Sequence, residues 1–208
     1  MEFGLLGPLE VTDSGEPLKL GGSRQRALLA LLLLRVNEAV SLDQLVDDLW
    51  SASPPKTAEQ IVRIYVSQLR KLLEPTRTAG DDPQVLITRG AGYELRLDPD
   101  QLDIHRFERL QQEGRRRLAI DDPTALGFFR GALALWRGPP LADFTYEPFA
   151  QAEIARLDDL RLSTLQDRID ADLARGAHAE VVPELEALVE QHPLRERLRA
   201  QLMLALYR

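Results

Sequence analysis

Thr57–Pro75, "TAEQIVRIYVSQLRKLLEP", followed shortly by Ile87–Leu95, "ITRGAGYEL", is the stretch that decides the fold. On a helical wheel of about 100° per residue, Ile61, Val62, Tyr65, Val66, Leu69, Leu72 and Leu73 fall within about 140° of one another. Gln60, Arg63, Ser67, Arg70, Lys71 and Glu74 take the opposite face, with Ile64 and Gln68 apart on a shoulder near Lys71. An apolar stripe of that width predicts a helix packed on a core. The polar face has two readings. It is either a solvated surface whose last-turn cations complement the helix dipole, or a helix entering a major groove. There Arg and Lys would meet guanine edges and phosphates while Gln and Ser add hydrogen bonds. The wheel alone does not choose.

The neighbouring sequence narrows the choice. Ser41-Leu42-Asp43-Gln44 and Thr57-Ala58-Glu59-Gln60 both have capping-box spacing, so each opens a helix. The first runs to about Trp50 and is broken by "SASPP". "QVLITRG" and "GYELRLD" alternate as strands and pair as a hairpin through Gly90-Ala91-Gly92. Two capped helices and a two-stranded hairpin give the order of a winged helix-turn-helix, in which the second helix reads the groove. Arg89, at the hairpin turn, is then positioned for an adjacent narrow minor groove.

Upstream, "EFGLLG", "PLEVT" and "LKL" read as short strands separated by the turn "DSGEP". Ser23 is the expected N-cap of a densely apolar helix, "RQRALLALLLLRVN". Its run Ala27–Leu34 is far too short for a bilayer, which takes about 20 residues. The start "MEFGLLGPLEV" lacks the basic, apolar pattern of a leader, which points to a cytoplasmic protein.

After Asp98-Pro99 the strand signals vanish, and helices are expected at about 103–119, 123–136, 148–175, 178–191 and 194–208. Asp122-Pro123 reads as an N-cap with proline at the first helical position. "RGPPLADFTYEP" is a firm break. The boundary near residues 97–102 divides the chain into 1–97 and 98–208. "LQDRIDADLARGAHAEVVPELEALVEQHP" reads as helix, turn at Gly176, helix and closing proline, similar to a tetratricopeptide unit of about 34 residues. The following unit runs out at Arg208 without a cap, so a fragment of a longer protein is expected.

Composition sets limits on chemistry. The 208 residues are 44% hydrophobic and 28% charged, carry a formal charge of −7, and contain no cysteine. Disulfides and thiolate metal sites are excluded. The acidity is concentrated in residues 98–208, with 15 basic and 20 acidic side chains. Between Lys56 and Arg77, five cations (Lys56, Arg63, Arg70, Lys71, Arg77) face two acids, Glu59 and Glu74. So few phosphate contacts per chain predict weak binding by one copy and hence paired sites. His105, His178 and His192 lack metal-ligand spacing. "GGSRQR" is neither a P-loop nor a dinucleotide fingerprint. Asp47-Asp48, Asp121-Asp122 and Asp158-Asp159 point in different directions on a helix. No enzyme, cofactor or metal site is expected.

"FGLLGPLEV", "RQRALLALLLL", "LVDDLW", "YVSQLRKLLEP", "ITRGAGYEL" and "LALWRGPPLADF" together, in this order, resemble the Streptomyces antibiotic regulatory protein family across essentially the whole chain. The resemblance implies an α+β N-terminal winged helix-turn-helix of the OmpR type, followed by an all-α, tetratricopeptide-like bacterial transcriptional activation domain. It implies a nucleoid-associated activator that binds direct repeats in promoter DNA as two copies side by side and contacts RNA polymerase holoenzyme. Pathway-specific control of secondary metabolism, such as antibiotic biosynthesis, is implied with it. Carried onto this chain, the reading helix is Thr57–Leu73, with Lys56, Thr57, Gln60, Arg63, Ser67, Gln68, Arg70 and Lys71 as DNA contacts. Trp50 and Tyr65 match positions that can touch phosphate, although ordinary core packing is the alternative. Arg89 matches the wing arginine, and Ser51, Ala52, Ser53, Pro54 and Pro55 match the polymerase-facing loop that runs to Lys56. Ser67 and Gln68 depart from a pattern in which relatives often carry arginines there. There is no receiver domain in the sequence, whereas some relatives extend into an ATPase or a phosphopeptide-binding module. The rival reading is a protein-interaction adaptor in which the helical repeats bind partners and the winged half is structural.

Overall fold

The computed structural model describes residues 1–208 except Ala52 and Ala79. Its elements follow in the order β1 (Glu2–Gly4), β2 (Glu10–Asp13), β3 (Glu16–Pro17), α1 (Ser23–Leu34), β4 (Ala39–Ser41), α2 (Leu42–Trp50), α3 (Ala58–Leu73), β5 (Leu86–Arg89) and β6 (Gly92–Leu95). Then come the helices α4 (Asp103–Leu118), α5 (Ala125–Leu133), α6 (Pro148–Ala174), α7 (His178–Gln191) and α8 (Glu196–Tyr207). The chain groups into two compact units, each built from two stretches: Met1–His105 with Arg137–Ala155, and Arg106–Trp136 with Arg156–Arg208.

In the first unit, β1, β2 and β3 form an antiparallel meander in which Phe3 faces Val11 and Thr12 faces Pro17. The third strand is therefore Glu16–Pro17, not "LKL". The turn tightens onto Ser14 and Gly15, both at positive φ, which brings Glu16 opposite Asp13. α1 is buried almost all round, from Ala27 to Leu33, as its apolar density requires. Gly22, not Ser23, is its N-cap, and no side chain caps it. Ser41 caps α2 as expected, its hydroxyl accepting from the Gln44 amide at 3.2 Å. Thr57 makes no such bond, because its φ and ψ of −102° and 13° aim the side chain away from the helix start.

The wing has a third strand that alternation did not reveal. β4 has only three residues and buries Val40 alone, yet it pairs with β6, giving the order β4-β6-β5. The turn is Gly90-Ala91, with Gly90 at φ 54°, while Gly92 already belongs to β6 opposite Ser41. A Cβ on Gly92 would lie 2.0 Å from the Val40 carbonyl oxygen, so only glycine lets these strands meet. Gly92→Ala is expected to cost about 1–3 kcal/mol through forced backbone displacement, measurable as a lower urea midpoint.

"RGPPLADF" does more than break a helix, since it packs on the meander. The amides of Arg137 and Leu141 donate to the carbonyls of Leu6 (2.8 Å) and Leu5 (2.9 Å). The buried Asp103 carboxylate accepts from the Leu5 and Leu6 amides and from Arg137 Nη2 at 3.2 Å. Asp143 accepts from the Leu9 amide at 2.7 Å and pairs with Arg26 at 2.6 Å.

The second unit is entirely helical. Phe107 meets Trp136 edge-on at 5.3 Å, and Arg161 lies over the Trp136 ring at 4.8 Å. Leu162, Ile169, Leu173, Val181, Leu185 and Leu198 form a shared core of α6, α7 and α8, with the turn at Gly176 (φ 87°) as the tetratricopeptide-like reading requires. Asp122 does not cap α5, which starts at Ala125. Its carboxylate instead accepts from Arg117 and from the Thr124 amide and hydroxyl, which hold its pKa down to about 2. None of the helices described is long and apolar enough to cross a membrane.

Candidate nucleic-acid interface

α3 is built from two opposed ridges. Ala58, Val62, Val66, Leu69 and Leu73 are buried, at i, i+4, i+8, i+11 and i+15, against the core of the first unit. Gln60, Ile64, Ser67, Gln68 and Lys71 are exposed, with Arg63 at their edge. Relative to the wheel, the helix is turned by about 30°. Tyr65, Ile61 and Leu72 are half-buried rather than central to the core, and Ile64 and Gln68 move outward.

Arg70 explains the rotation. Its Nε donates to the Leu86 carbonyl at 2.7 Å and its Nη2 to Thr88 Oγ1 at 2.8 Å, while the guanidinium stands 5.8 Å from the Tyr93 ring centre. A residue expected on the exposed face is folded against β5 and β6 and ties the helix to the hairpin. Burial lowers its pKa from the ordinary arginine value. The signal for this was not in the helix but in the hairpin, whose Leu86 carbonyl needs a donor.

The other cations are available. Lys71 and Lys56 are exposed, and neither is in an ion pair among the described residues. Arg63 pairs with Glu59 one turn away at 2.8 Å, with both side chains more than half exposed. Such a pair contributes only about 0.3–0.5 kcal/mol, so a phosphate can displace it. At the wing, Glu94 accepts from Arg96 Nε at 2.7 Å and Arg89 Nε at 2.9 Å. Those two bonds hold its carboxyl below the usual glutamate range, Arg96 contributing most. Arg89 is thus oriented by its Nε, and among the described residues both of its terminal nitrogens are uncommitted. Arg96 joins it as a second wing cation that the sequence reading passed over; the "ELR" alternation of β6 is its signal. A shallow cleft lined by Ser41, Asp43, Glu59, Arg63, Thr88 and Gly90 separates the start of α3 from the hairpin tip.

Trp50, the last residue of α2, is half-buried, as is Tyr65. Thr57 is exposed just before α3. In the segment after α2, Ser51 takes φ 50° and ψ −123°, and Ser53, Pro54 and Pro55 are exposed. Ala52 lies outside the described residues.

Residues 102–208 match the bacterial transcriptional activator domain family, and residues 15–95 match the family described as transcriptional regulatory protein, C terminal. Regulatory protein DnrI of Streptomyces peucetius is 37% identical over 212 residues, covering all of this chain and 78% of that protein. The chain belongs to the Streptomyces antibiotic regulatory protein family. Both matched families are regulatory, and the chain's class is transcription regulation by an activator with an OmpR-type winged helix. Regulatory protein AfsR of Streptomyces coelicolor is 45% identical over 210 residues, of which this chain spans only a fifth. In solved structures, the family's fold recurs in Mycobacterium tuberculosis EmbR, determined in complex with a low affinity phosphopeptide. That match has a TM-score of 0.93 at 37% identity and covers 99% of this chain and 54% of that one. Within this family framework, α3 occupies the place of the second helix of the helix-turn-helix, and its outward ridge is the candidate surface.

Proposed function

We propose that this activator binds promoter DNA sequence-specifically by seating α3 in the major groove, with residues 1–97 as the reading half and 98–208 as the activation half. The observation that carries this is the outward ridge of α3. Gln60, Ser67, Gln68 and Lys71 are all exposed, and hydrogen-bonding side chains of this kind read base edges. Arg63, Lys56 and Thr57 flank the ridge toward the phosphates, and Arg89 with Arg96 reaches the neighbouring groove. Trp50 and Tyr65 border the surface as apolar support. Arg70 acts from beneath, holding the wing at a fixed offset from α3.

One copy has few phosphate contacts, so two copies are expected side by side on direct repeats about one helical turn apart, roughly 10–10.5 base pairs. The segment Ser51–Pro55, of which Ser51, Ser53, Pro54 and Pro55 are exposed, is the proposed contact for RNA polymerase holoenzyme. Pathway-specific control of secondary metabolism is the role proposed with it, in a cytoplasmic, nucleoid-associated setting.

Selection of bound fragments from random DNA, followed by titration of the enriched site across a salt series, tests this reading. A tandem repeat one turn apart is expected, with affinity that falls steeply as salt rises. Recovery of no common sequence, with weak binding indifferent to base composition, would leave the adaptor reading standing instead.

A further inference from the structure

Ile64 has no structural reason to be where it is. It is 47% exposed, and among the described residues of α2, α3 and the hairpin it is the only large apolar side chain left in solvent. Single exposed apolar residues are common, but this one stands at the centre of the ridge. Gln60 lies one turn before it, Ser67 and Gln68 one turn after, and Lys71 two turns after, all exposed. Its direction is about 160° from the middle of the buried stripe at 100° per residue, so it points almost straight out. A β-branched side chain on a helix has essentially one χ1 rotamer. Ile64 therefore offers a rigid apolar knob between hydrogen-bonding neighbours.

Only one feature in a major groove rewards such a knob. Every base edge there presents donors and acceptors, except that thymine also carries a C5-methyl group. Ile64 against a hydrogen-bonding edge would leave that edge desolvated without a partner, which costs binding energy. Against a methyl group it buries apolar surface on both sides.

We infer that Ile64 is a specificity-determining residue that reads the C5-methyl group of a thymine in the operator, between the base pairs addressed by Gln60 and by Gln68 and Lys71. The inference rests on the DNA-reading proposal above and adds a base identity to it.

The test uses the chain as it stands and the operator enriched by selection. Dissociation constants of the wild type and of Ile64→Ala are measured on that operator and on copies in which each thymine in turn is replaced by deoxyuridine, which removes the methyl group alone. One or two replacements are expected to weaken wild-type binding about fourfold, the loss of one CH₂-sized apolar contact. Ile64→Ala is expected to bind the thymine operator at least that much more weakly and to be indifferent to the same replacements. Because Ile64 is exposed, its thermal midpoint should match the wild type. Wild-type binding that is tight and specific yet unaffected by every deoxyuridine would overturn the inference while leaving DNA reading intact. Full deoxyuridine sensitivity in Ile64→Ala would overturn it equally, as would loss of activation with unchanged affinity, which would assign Ile64 to a protein contact. If the unmodified operator is never bound specifically, the reading and this inference fall together.

Discussion

Asp103→Ala is expected to be the most damaging single change to stability, costing about 3–5 kcal/mol, the usual consequence of removing one member of a buried, hydrogen-bonded charge pair. Asp103 is 8% exposed and serves three donors: the Leu5 amide, the Leu6 amide and Arg137. Truncation leaves two backbone N–H groups and a guanidinium without their acceptor. For a chain of this size the thermal midpoint should drop on the order of 10 °C. An unchanged midpoint would mean that the Arg137 segment does not depend on this carboxylate.

The same residue gives a signed pH dependence. Burial raises the Asp103 pKa above the ordinary aspartate value, and the Leu5 and Leu6 amides and Arg137 oppose that rise only in part. A carboxyl with a higher pKa folded than unfolded holds its proton more tightly when folded. Its contribution to unfolding free energy therefore falls as pH rises from the ordinary value through the raised one. Asp103→Asn does not ionise, so the difference in stability between wild type and this variant should slope across that interval and flatten above it.

For function, the largest expected effect belongs to the double variant Gln60→Ala, Lys71→Ala. Base-edge contacts are worth about 1–3 kcal/mol each, so together their loss should weaken binding to the enriched operator on the order of 100-fold. The salt dependence should also become shallower, because the variant brings one cation fewer to the DNA. Neither side chain is in the core, so the urea midpoint should not move. Arg70→Ala provides the contrast. It strips a charged donor from the Leu86 carbonyl, costing about 1.5–3 kcal/mol, and it should lower stability and affinity together. A double variant that binds like the wild type would remove α3 from the interface.

Much of this architecture is legible in the sequence, and what is not has identifiable causes. The cap at Ser41 was readable because serine and Gln44 stand at the right separation and nothing competes for the hydroxyl. The same spacing at Thr57 gives no cap because the backbone enters α3 from a non-extended angle. β4 was hidden by its length, since three residues with one buried valine carry no period. The exposed face of α3 is legible but mis-centred, because a wheel weighs residue types within one helix. The hairpin carbonyl that draws Arg70 inward comes from elsewhere in the chain. Ile64 falls on the shoulder of the wheel for the same reason, although it is exposed in the folded chain.

The return of Arg137–Ala155 to the first unit bears on how this family can be recombined. A hybrid regulator that exchanges only residues 1–97 with a relative would graft a meander whose Leu5, Leu6 and Leu9 backbone partners, Asp103, Leu141 and Asp143, remain with the host. Swaps that carry Met1–His105 together with Arg137–Ala155 keep donor and acceptor from the same parent. Inheritance of the first unit as a cassette therefore takes two separate segments of the gene, with three junctions.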